Sequence, residues 1–332
     1  MSARLDDRPL VVVLGASGFL GSAVLAALSE LPVRLRAVSR RPVRPPAGAR
    51  ARTECRAADL TDRAALAGAV HGADAVLPFT ARIRGASGWR LAEGDSAAER
   101  VNVGVVRDLV EVLAAARRPG AAPPAVLFPG SNTQVGPVDS DWIDGTETDR
   151  PQGEYDRQKH TAELLLKEAT TAGAVRAVSL RLPPVFGPSG STAEDRGVVS
   201  TMARRALAGE PLTLWNDGTV RRDFLYVEDA ARAFVTALGQ VDALAGRHYL
   251  VGTGQPRSLG DVFRTVADAV ARHQGIPAVP VGTVPAPAES EGTDVRSLCV
   301  DPSAFVAATG WRAVTPLDTA LDRTVAALAT RR

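Results

Sequence analysis

A glycine-rich turn between a buried strand and a helix constrains the fold of this chain more than any other feature. The run Leu10 to Leu14 has the continuous hydrophobicity of a strand buried on both faces. In the turn that follows it, Gly15 permits a tight bend, Gly18 lets a pyrophosphate approach the backbone, and Gly21 lets the next helix pack against the strand. The N-terminus of that helix faces the anion. The turn therefore predicts a dinucleotide site formed by Gly15, Ser17, Gly18, Phe19, Leu20 and Gly21.

Short β-branched runs alternate with helical stretches through the first half of the chain. This alternation is typical of a parallel sheet covered by helices on both faces. The strands are predicted at residues 10–14, 33–38, 74–79, 125–128 and 177–182, and the helices at residues 18–30, 96–117 and 154–171.

Beyond Pro183, proline, glycine and short irregular pieces loosen the pattern. We therefore predict an α/β fold, a doubly wound parallel Rossmann sheet with a smaller C-terminal α+β lobe for the substrate. Residues 1–182 are expected to form the nucleotide-binding domain, which also receives roughly residues 225–252. Residues 183–224 and 253–332 are expected to form the smaller lobe.

The composition is that of an ordinary globular protein, with 45% hydrophobic and 23% charged residues. A net charge of +2 is too small to indicate nucleic acid, and no apolar run approaches the roughly 20 residues that cross a bilayer. Residues 1–9 lack the apolar core of a signal peptide. Cys55 and Cys299 fit no metal or redox spacing. We expect a cytoplasmic protein without a metal site and without nucleic-acid or membrane partners.

The end of the second strand indicates which dinucleotide binds. An NAD site usually places an acid there, against the ribose 2′-hydroxyl. This chain has Ser39, Arg40 and Arg41 instead, and arginine suits a 2′-phosphate. The cofactor is therefore predicted to be NADPH or NADP. The alternative is that Arg40 and Arg41 have no role in binding and occur there because the chain is rich in arginine, with 37 arginines and two lysines. After the next strand, Asp59 and Leu60 are placed to meet the adenine.

Tyr155 and Lys159 stand four residues apart at the start of a predicted helix, so they share one helical face. A phenol has a pKa near 10, and an adjacent ammonium, together with the positive charge of the oxidised nicotinamide, lowers it by stabilising the phenolate. Tyr155 can then protonate the alkoxide that forms when hydride reaches a carbonyl. Upstream, Ser131 and Thr133 follow a buried strand at the edge of the sheet where ligands of such folds bind. Either hydroxyl could bind the substrate oxygen.

These features, in this order, resemble the extended short-chain dehydrogenase/reductase family over nearly the whole chain. The family's catalytic hydroxyl stands five residues before the glycine that closes its loop, here Gly136. The resemblance thus implies a catalytic triad of Ser131, Tyr155 and Lys159, the last two also contacting the cofactor. It further implies cofactor contacts by Thr80, Asn102, Pro183 and Val185. Substrate contacts are expected from Ser131, Asn132, Thr133, Arg222 and Arg296, with Arg222 on the diphosphate of a nucleotide sugar.

Departures from other branches of the family narrow the predicted activity. Nucleotide-sugar dehydratases place Asp-Glu after the catalytic hydroxyl, where this chain has Asn132 and Thr133. Epimerases of the family keep NAD bound and usually have the acid that is missing beside Arg40. The residues in these motifs are most similar to those of dTDP-4-keto-6-deoxyhexose 4-ketoreductases of antibiotic deoxysugar pathways. The resemblance therefore implies NADPH-dependent reduction of the C4 ketone of a dTDP-linked sugar.

Three alternatives stay open: a dihydroflavonol-reductase-like enzyme acting on a ketone without a nucleotide, an NAD-retaining epimerase, and a non-catalytic NADP-binding sensor. The substitution pattern of the sugar depends on residues 82–95 and on the small lobe, and the sequence leaves it open. The sequence also leaves open whether the protein forms a homodimer.

Overall fold

The structure, a computed structural model, describes residues 8–45, 48–83, 91–117, 120–188, 197–287, 290 and 295–330. Its strands are β1 (Leu10–Leu14), β2 (Arg34–Ser39), β3 (Arg52–Ala57), β4 (Ala75–Pro78), β5 (Ala125–Ser131), β6 (Trp142–Ile143), β7 (Arg176–Leu182), β8 (Val185–Phe186), β9 (Leu212–Trp215), β10 (Arg221–Arg222), β11 (Leu225–Tyr226), β12 (His248–Leu250), β13 (Arg257–Ser258), β14 (Val281–Val284) and β15 (Cys299–Val300).

The helices are α1 (Phe19–Ser29), α2 (Arg63–Val70), α3 (Ser96–Glu99), α4 (Val105–Ala115), α5 (Glu154–Thr171), α6 (Val198–Leu207), α7 (Val227–Gly239), α8 (Val241–Leu244), α9 (Leu259–Gln274), α10 (Ser303–Thr309) and α11 (Leu317–Ala329). Among the described residues, no helix is long and apolar enough to cross a membrane.

The central sheet has seven strands in the order β12-β7-β5-β4-β1-β2-β3, and every neighbouring pair is parallel. This arrangement confirms the predicted doubly wound Rossmann sheet. The carboxyl ends of β1, β2, β4 and β5 therefore meet at one edge, where the loops that follow them are brought together.

Helices cover both faces of the sheet. On one face, α1 and α7 pack in a core that includes Leu28 and Phe234. On the other face, α2, α4 and α5 pack in a core that includes Leu109 and Leu166. The chain returns to the sheet after first leaving it, because β12 pairs with β7. A third core, around Val266, joins α6, α9 and α11 with β9 outside the central sheet.

Two predicted elements differ from the structure. The predicted helix over residues 96–117 contains a π-helical turn at Arg100–Gly104, between α3 and α4. The predicted strand over residues 125–128 continues to Ser131, so the candidate hydroxyl is the last residue of β5 rather than part of a turn. The hydrophobic periodicity of the sequence could not reveal the π-helical turn, because such a turn shifts the helical register by one residue only.

Candidate active site

The glycine turn after β1 is packed too tightly for side chains. Gly15 has a φ of +76°, a left-handed conformation that favours glycine, and its N–H donates to the carbonyl oxygen of Val38 at 2.8 Å. A Cβ atom at Gly15 would lie 2.8 Å from the carbonyl group of Phe79, in the loop after β4. A Cβ atom at Gly21 would overlap the carbonyl oxygen of Gly15. The turn therefore needs bare backbone, as a cradle for a dinucleotide pyrophosphate does.

The start of α1 offers backbone N–H groups to an anion. Gly18 caps the helix, and no side chain caps it. The N–H groups of Phe19 and Leu20, in the first turn, therefore have no partner within the helix. The side chains of Phe19 and Leu20 are partly buried and pack against the third core, around Val266. It follows that Phe19 and Leu20 can meet phosphates through their backbone only.

A cleft of about 530 Å³ runs along this edge of the sheet. It joins the glycine turn to the ends of β2 and β3 and to the loop after β4. The predicted cofactor residues that line it are Gly15, Ser17, Gly18, Ser39, Arg40, Arg41, Asp59, Leu60 and Thr80. The structure thus brings nine of the predicted cofactor residues to one cleft of the size that ligand sites have.

The end of the cleft at β2 and β3 is cationic. The Ser39 hydroxyl donates to the carbonyl oxygen of Arg41 at 2.6 Å, while the side chains of Arg40 and Arg41 stay exposed. Hydrogen bonds from the backbone and hydroxyl of Thr61 hold the pKa of Asp59 below its ordinary value, and the charge of Arg40 acts in the same direction. Two exposed arginines, Arg40 and Arg41, therefore lie at this end of the cleft.

Tyr155 and Lys159 lie one turn apart on the buried face of α5 and are 8% and 5% exposed. The Lys159 Nζ atom donates to the carbonyl oxygen of Pro129 at 2.8 Å and lies 5.8 Å from the centre of the Tyr155 ring. Burial lowers the pKa of Lys159 to about 8, so the ammonium stays charged at neutral pH. Burial, together with the charge of Asp156, raises the pKa of Tyr155. The phenol is therefore protonated in the free protein.

A hydrogen-bonded chain links the candidate hydroxyl to this helix. The Ser131 and Thr133 hydroxyl oxygens lie 2.6 Å apart, and the Thr133 hydroxyl donates to the Asp156 carboxylate. Because Thr133 has a single hydroxyl proton, the proton between the two hydroxyls comes from Ser131. The sequence reasoning missed Asp156. The sequence shows an acidic residue directly after Tyr155, but only the tertiary contact with Thr133 indicates a role for it.

The short 3₁₀ turn after Ser131 leaves one buried donor without an acceptor. The Gln134 side chain accepts a hydrogen bond from the Ser131 N–H at 2.7 Å and so fixes the turn. Asn132 is 2% exposed, and its Nδ2 atom has no hydrogen-bond partner among the described residues. An unsatisfied buried donor costs about 1–3 kcal/mol. Asn132 is therefore a candidate to bind a polar ligand.

A buried ionic network supports this turn from within the sheet. The Glu163 carboxylate accepts hydrogen bonds from Gln134 at 3.1 Å and from Arg181 at 2.7 and 3.0 Å. Arg181 also holds Asp149 through bonds of 2.6 and 2.7 Å. Burial alone would raise the pKa of Glu163, but hydrogen bonds from His248 and Arg181 outweigh it and keep that pKa well below its ordinary value. The network stays ionised, and Gln134 connects it to Ser131.

Asn102, in the π-helical turn, does not line the cleft as a cofactor residue would. Its Oδ1 atom accepts the Arg82 N–H at 2.8 Å, and its Nδ2 atom donates to the Arg82 carbonyl at 3.1 Å. The same Nδ2 atom donates to Gln158 on α5 at 2.7 Å. The amide joins α5 to the loop after β4, and the direct cofactor contact of Asn102 stays a prediction.

The predicted substrate residues Arg222 and Arg296 lie near Gly136, at the end of the loop that follows Ser131. The Arg222 guanidinium, on β10, donates to the carbonyl oxygens of Arg221, at 3.0 Å, and Arg296. A pocket of about 260 Å³ is lined by Gly136, Pro137, Val138, Gln152, Arg296, Ser297 and Leu298. This pocket therefore connects Arg296 with Gly136, which closes the turn that begins at Ser131.

Pro183 and Val185 follow the carboxyl end of β7, the neighbour of β5 in the sheet. Pro183 is buried, and Val185 is half-buried at the start of β8. They lie at the same edge of the sheet as Ser131. Of residues 82–95, on which the choice of sugar was expected to depend, residues 84–90 lie outside the described part of the chain.

Comparisons with known proteins agree with this geometry. A family model described as the NAD dependent epimerase/dehydratase family matches residues 11–252. A dTDP-L-rhamnose 4-epimerase of Burkholderia thailandensis is 33% identical over 165 residues, which make up 49% of this chain. The match covers 42% of that relative, less than half of its length.

Two solved structures share the fold over nearly the whole chain. MoeE5, in complex with UDP-glucuronic acid and NAD, has a TM-score of 0.80 at 24% identity and covers 98% of this chain and 100% of its own. RMD from Pseudomonas aeruginosa, complexed with NADPH, has a TM-score of 0.76 at 21% identity and covers 98% and 100%. At these identities the similarity shows the fold alone.

Proposed function

Since the chain belongs to the NAD-dependent epimerase/dehydratase family, we propose that it is an NADPH-dependent reductase that converts the C4 ketone of a dTDP-4-keto-6-deoxyhexose to an alcohol. The reduced nicotinamide supplies the hydride when the cofactor is bound. The observation that carries the proposal is the position of Arg40 and Arg41, which line the cleft where an NAD site would place an acid.

Tyr155 can supply the proton that the reductive direction needs. Reduction needs a proton donor for the substrate oxygen, whereas oxidation of a sugar hydroxyl needs a base that removes a proton. Burial and the neighbouring Asp156 raise the pKa of Tyr155, so the phenol carries its proton before hydride transfer. Lys159 remains charged beside the ring and stabilises the phenolate left after transfer. Ser131 would hold the substrate oxygen next to the phenol by turning its hydroxyl proton from Thr133 to that oxygen.

The residues after Ser131 speak against dehydration. Asn132 cannot act as an acid or a base, and the Thr133 hydroxyl is bound to Asp156. Asn132 instead brings an unpartnered amide donor, which suits a hydrogen bond to a sugar oxygen. The dTDP group is supported by the similarity to a dTDP-L-rhamnose 4-epimerase. Arg222 and Arg296 near the pocket beside Gly136 would meet its diphosphate.

A second candidate is an NAD-retaining epimerase of a nucleotide sugar. It is favoured by the same relative, whose name describes an epimerase, and by the NAD found in the MoeE5 complex. The RMD complex, with the same fold, contains NADPH. The cofactor that this chain prefers therefore separates the two candidates.

We expect the protein to bind NADPH at least about tenfold more tightly than NADH, because each charge-assisted contact with the 2′-phosphate contributes about 1.5–3 kcal/mol. Replacing both Arg40 and Arg41 by alanine should weaken NADPH binding and leave NADH binding nearly unchanged. Fluorescence titration of both dinucleotides measures this preference. The matched control is Arg44→Ala, an exposed arginine that does not line the cleft. Equal wild-type affinity for the two dinucleotides would contradict the assignment.

The substrate is tested by incubating the protein with dTDP-4-keto-6-deoxyglucose and NADPH and determining the C4 configuration of the product by NMR. A 6-deoxyhexose with a C4 hydroxyl is the expected product. Addition of dTDP should inhibit the reaction by competing for the nucleotide site. Turnover of simple ketones with no inhibition by dTDP would favour the reductase that acts on a ketone without a nucleotide.

A further inference from the structure

Arg82 is not among the predicted cofactor residues, yet it lines the cofactor cleft together with Gly15, Ser17 and Gly18. It belongs to the loop after β4. That loop presses against the glycine turn, because a Cβ atom at Gly15 would lie 2.9 Å from the Thr80 backbone nitrogen. Arg82 follows Thr80 by two residues, so its backbone lies close to the glycine turn that would hold the pyrophosphate.

The backbone of Arg82 is clamped on both sides. Its N–H donates to the Asn102 side chain at 2.8 Å, and its carbonyl oxygen accepts from the same amide at 3.1 Å. Asn102 is in turn bound to Gln158, which donates to Glu154 at 2.8 Å. The loop is therefore tied to the helix of Tyr155. These hydrogen bonds hold the backbone of Arg82 and therefore fix the position from which its side chain extends.

The guanidinium group of Arg82 has an unmet donor. Its Nε atom is buried and has no hydrogen-bond partner in the part of the chain that the structure describes. Arg100, which lines the same cleft, differs because it donates to the Thr61 carbonyl and to Asp108. A buried cationic donor without an acceptor is unfavourable, so an anionic ligand in the cleft would relieve it.

The order of the strands indicates which anion meets this donor. β2 and β3 lie on one side of β1, and β4 lies on the other. Arg40 and Arg41 therefore stand on the opposite side of the glycine turn from Arg82. A dinucleotide with its 2′-phosphate at Arg40 and Arg41 has one other anionic group, the pyrophosphate at the turn. The candidate residues for a substrate diphosphate, Arg222 and Arg296, belong to the small lobe.

We propose that Arg82 is a second anion-binding residue for the cofactor and that its Nε–H donates to the pyrophosphate. This inference rests on the proposed function in that it takes the cleft to bind a dinucleotide. It adds a contact that is common to NADPH and NADH, whereas Arg40 and Arg41 act on NADPH alone.

The test compares dissociation constants of NADPH and NADH for the full-length protein, purified free of nucleotide. Arg82→Leu should raise both constants by a similar factor, about tenfold or more. Arg82→Lys keeps the charge but lacks Nε, so a smaller and again equal rise is expected. Arg107→Leu is the matched control, because Arg107 is exposed on α4 and does not line the cleft; both of its constants should equal those of the wild type.

A thermal unfolding curve for each variant shows whether it is folded, and Arg82→Lys carries the test if the leucine variant is not. The proposal is overturned if replacing Arg82 leaves both constants unchanged, weakens NADPH alone, or weakens only dTDP binding. Its failure is distinct from failure of the proposed function. A wild-type protein that prefers NADH would contradict the reductase while an equal effect of Arg82→Leu on both dinucleotides still supported the pyrophosphate contact.

Discussion

Replacing Tyr155 by phenylalanine is expected to abolish reduction while leaving NADPH affinity nearly unchanged. The change removes the phenolic oxygen and leaves the ring that packs near Lys159, whose Nζ atom lies 5.8 Å from the ring centre. A positioned general acid contributes roughly 10²–10⁴ in rate, or about 3–5 kcal/mol in the barrier. Initial rates of ketone reduction and an NADPH titration measure the two effects separately.

Tyr249→Phe is the matched control for this variant. Tyr249 is also buried, at 7% exposed, but it lies on β12 and its ring packs against Phe305, with 5.8 Å between the ring centres. It should retain nearly full activity. A Tyr155→Phe protein that kept more than about a tenth of the wild-type kcat would rule out Tyr155 as the general acid.

Replacing Arg181 by methionine is expected to destabilise the protein by about 3 kcal/mol, because it removes the cation shared by the buried Glu163 and the partly buried Asp149 and leaves Glu163 with Lys167 and His248 as ion-pair partners. Arg181 is 2% exposed and pairs with Glu163, at 1% exposed, and with Asp149. Denaturation by urea at pH 7 measures the loss of unfolding free energy. Adding Glu163→Gln to Arg181→Met should restore part of it, because the buried carboxylate that lost two hydrogen bonds from Arg181 is then neutral.

The same strand provides the control. Arg176, also on β7, forms an ion pair with the exposed Asp242. Surface ion pairs contribute about 0–1 kcal/mol, so Arg176→Met should change the unfolding free energy little. Similar losses in the two methionine variants would show that burial does not set the strength of the Arg181 network.

The sequence predicted the parts of the fold and site that depend on local pattern. The helix from Glu154 to Thr171 has the predicted bounds, and the glycine turn follows a fully buried β1 as expected. β3 was not delimited from the sequence, because it lies at the edge of the sheet and only Thr53 among its residues is even half-buried. An exposed edge strand carries little hydrophobic periodicity.

The contacts that connect the site could not be predicted, because they join residues far apart in the chain. Asp156 meets Thr133 across 23 positions, and Arg181 meets Asp149 across 32. Lys167 was notable in the sequence as one of two lysines, and the structure places it in the buried network, where it donates to Glu163 at 2.8 Å. Polar side chains that become buried need hydrogen-bond partners, and only the fold shows which residues those partners are.

The central claim is that the protein consumes its hydride donor, whereas an epimerase borrows a hydride and returns it. The most direct measurement follows the loss of reduced-nicotinamide absorbance while the sugar product is quantified, after a check of the purified protein for bound NAD. The account predicts that one equivalent of NADPH disappears for each dTDP-4-keto sugar reduced and that little NAD is retained through purification. Product formed without loss of NADPH, or stoichiometric NAD that survives purification, would contradict it and favour the epimerase.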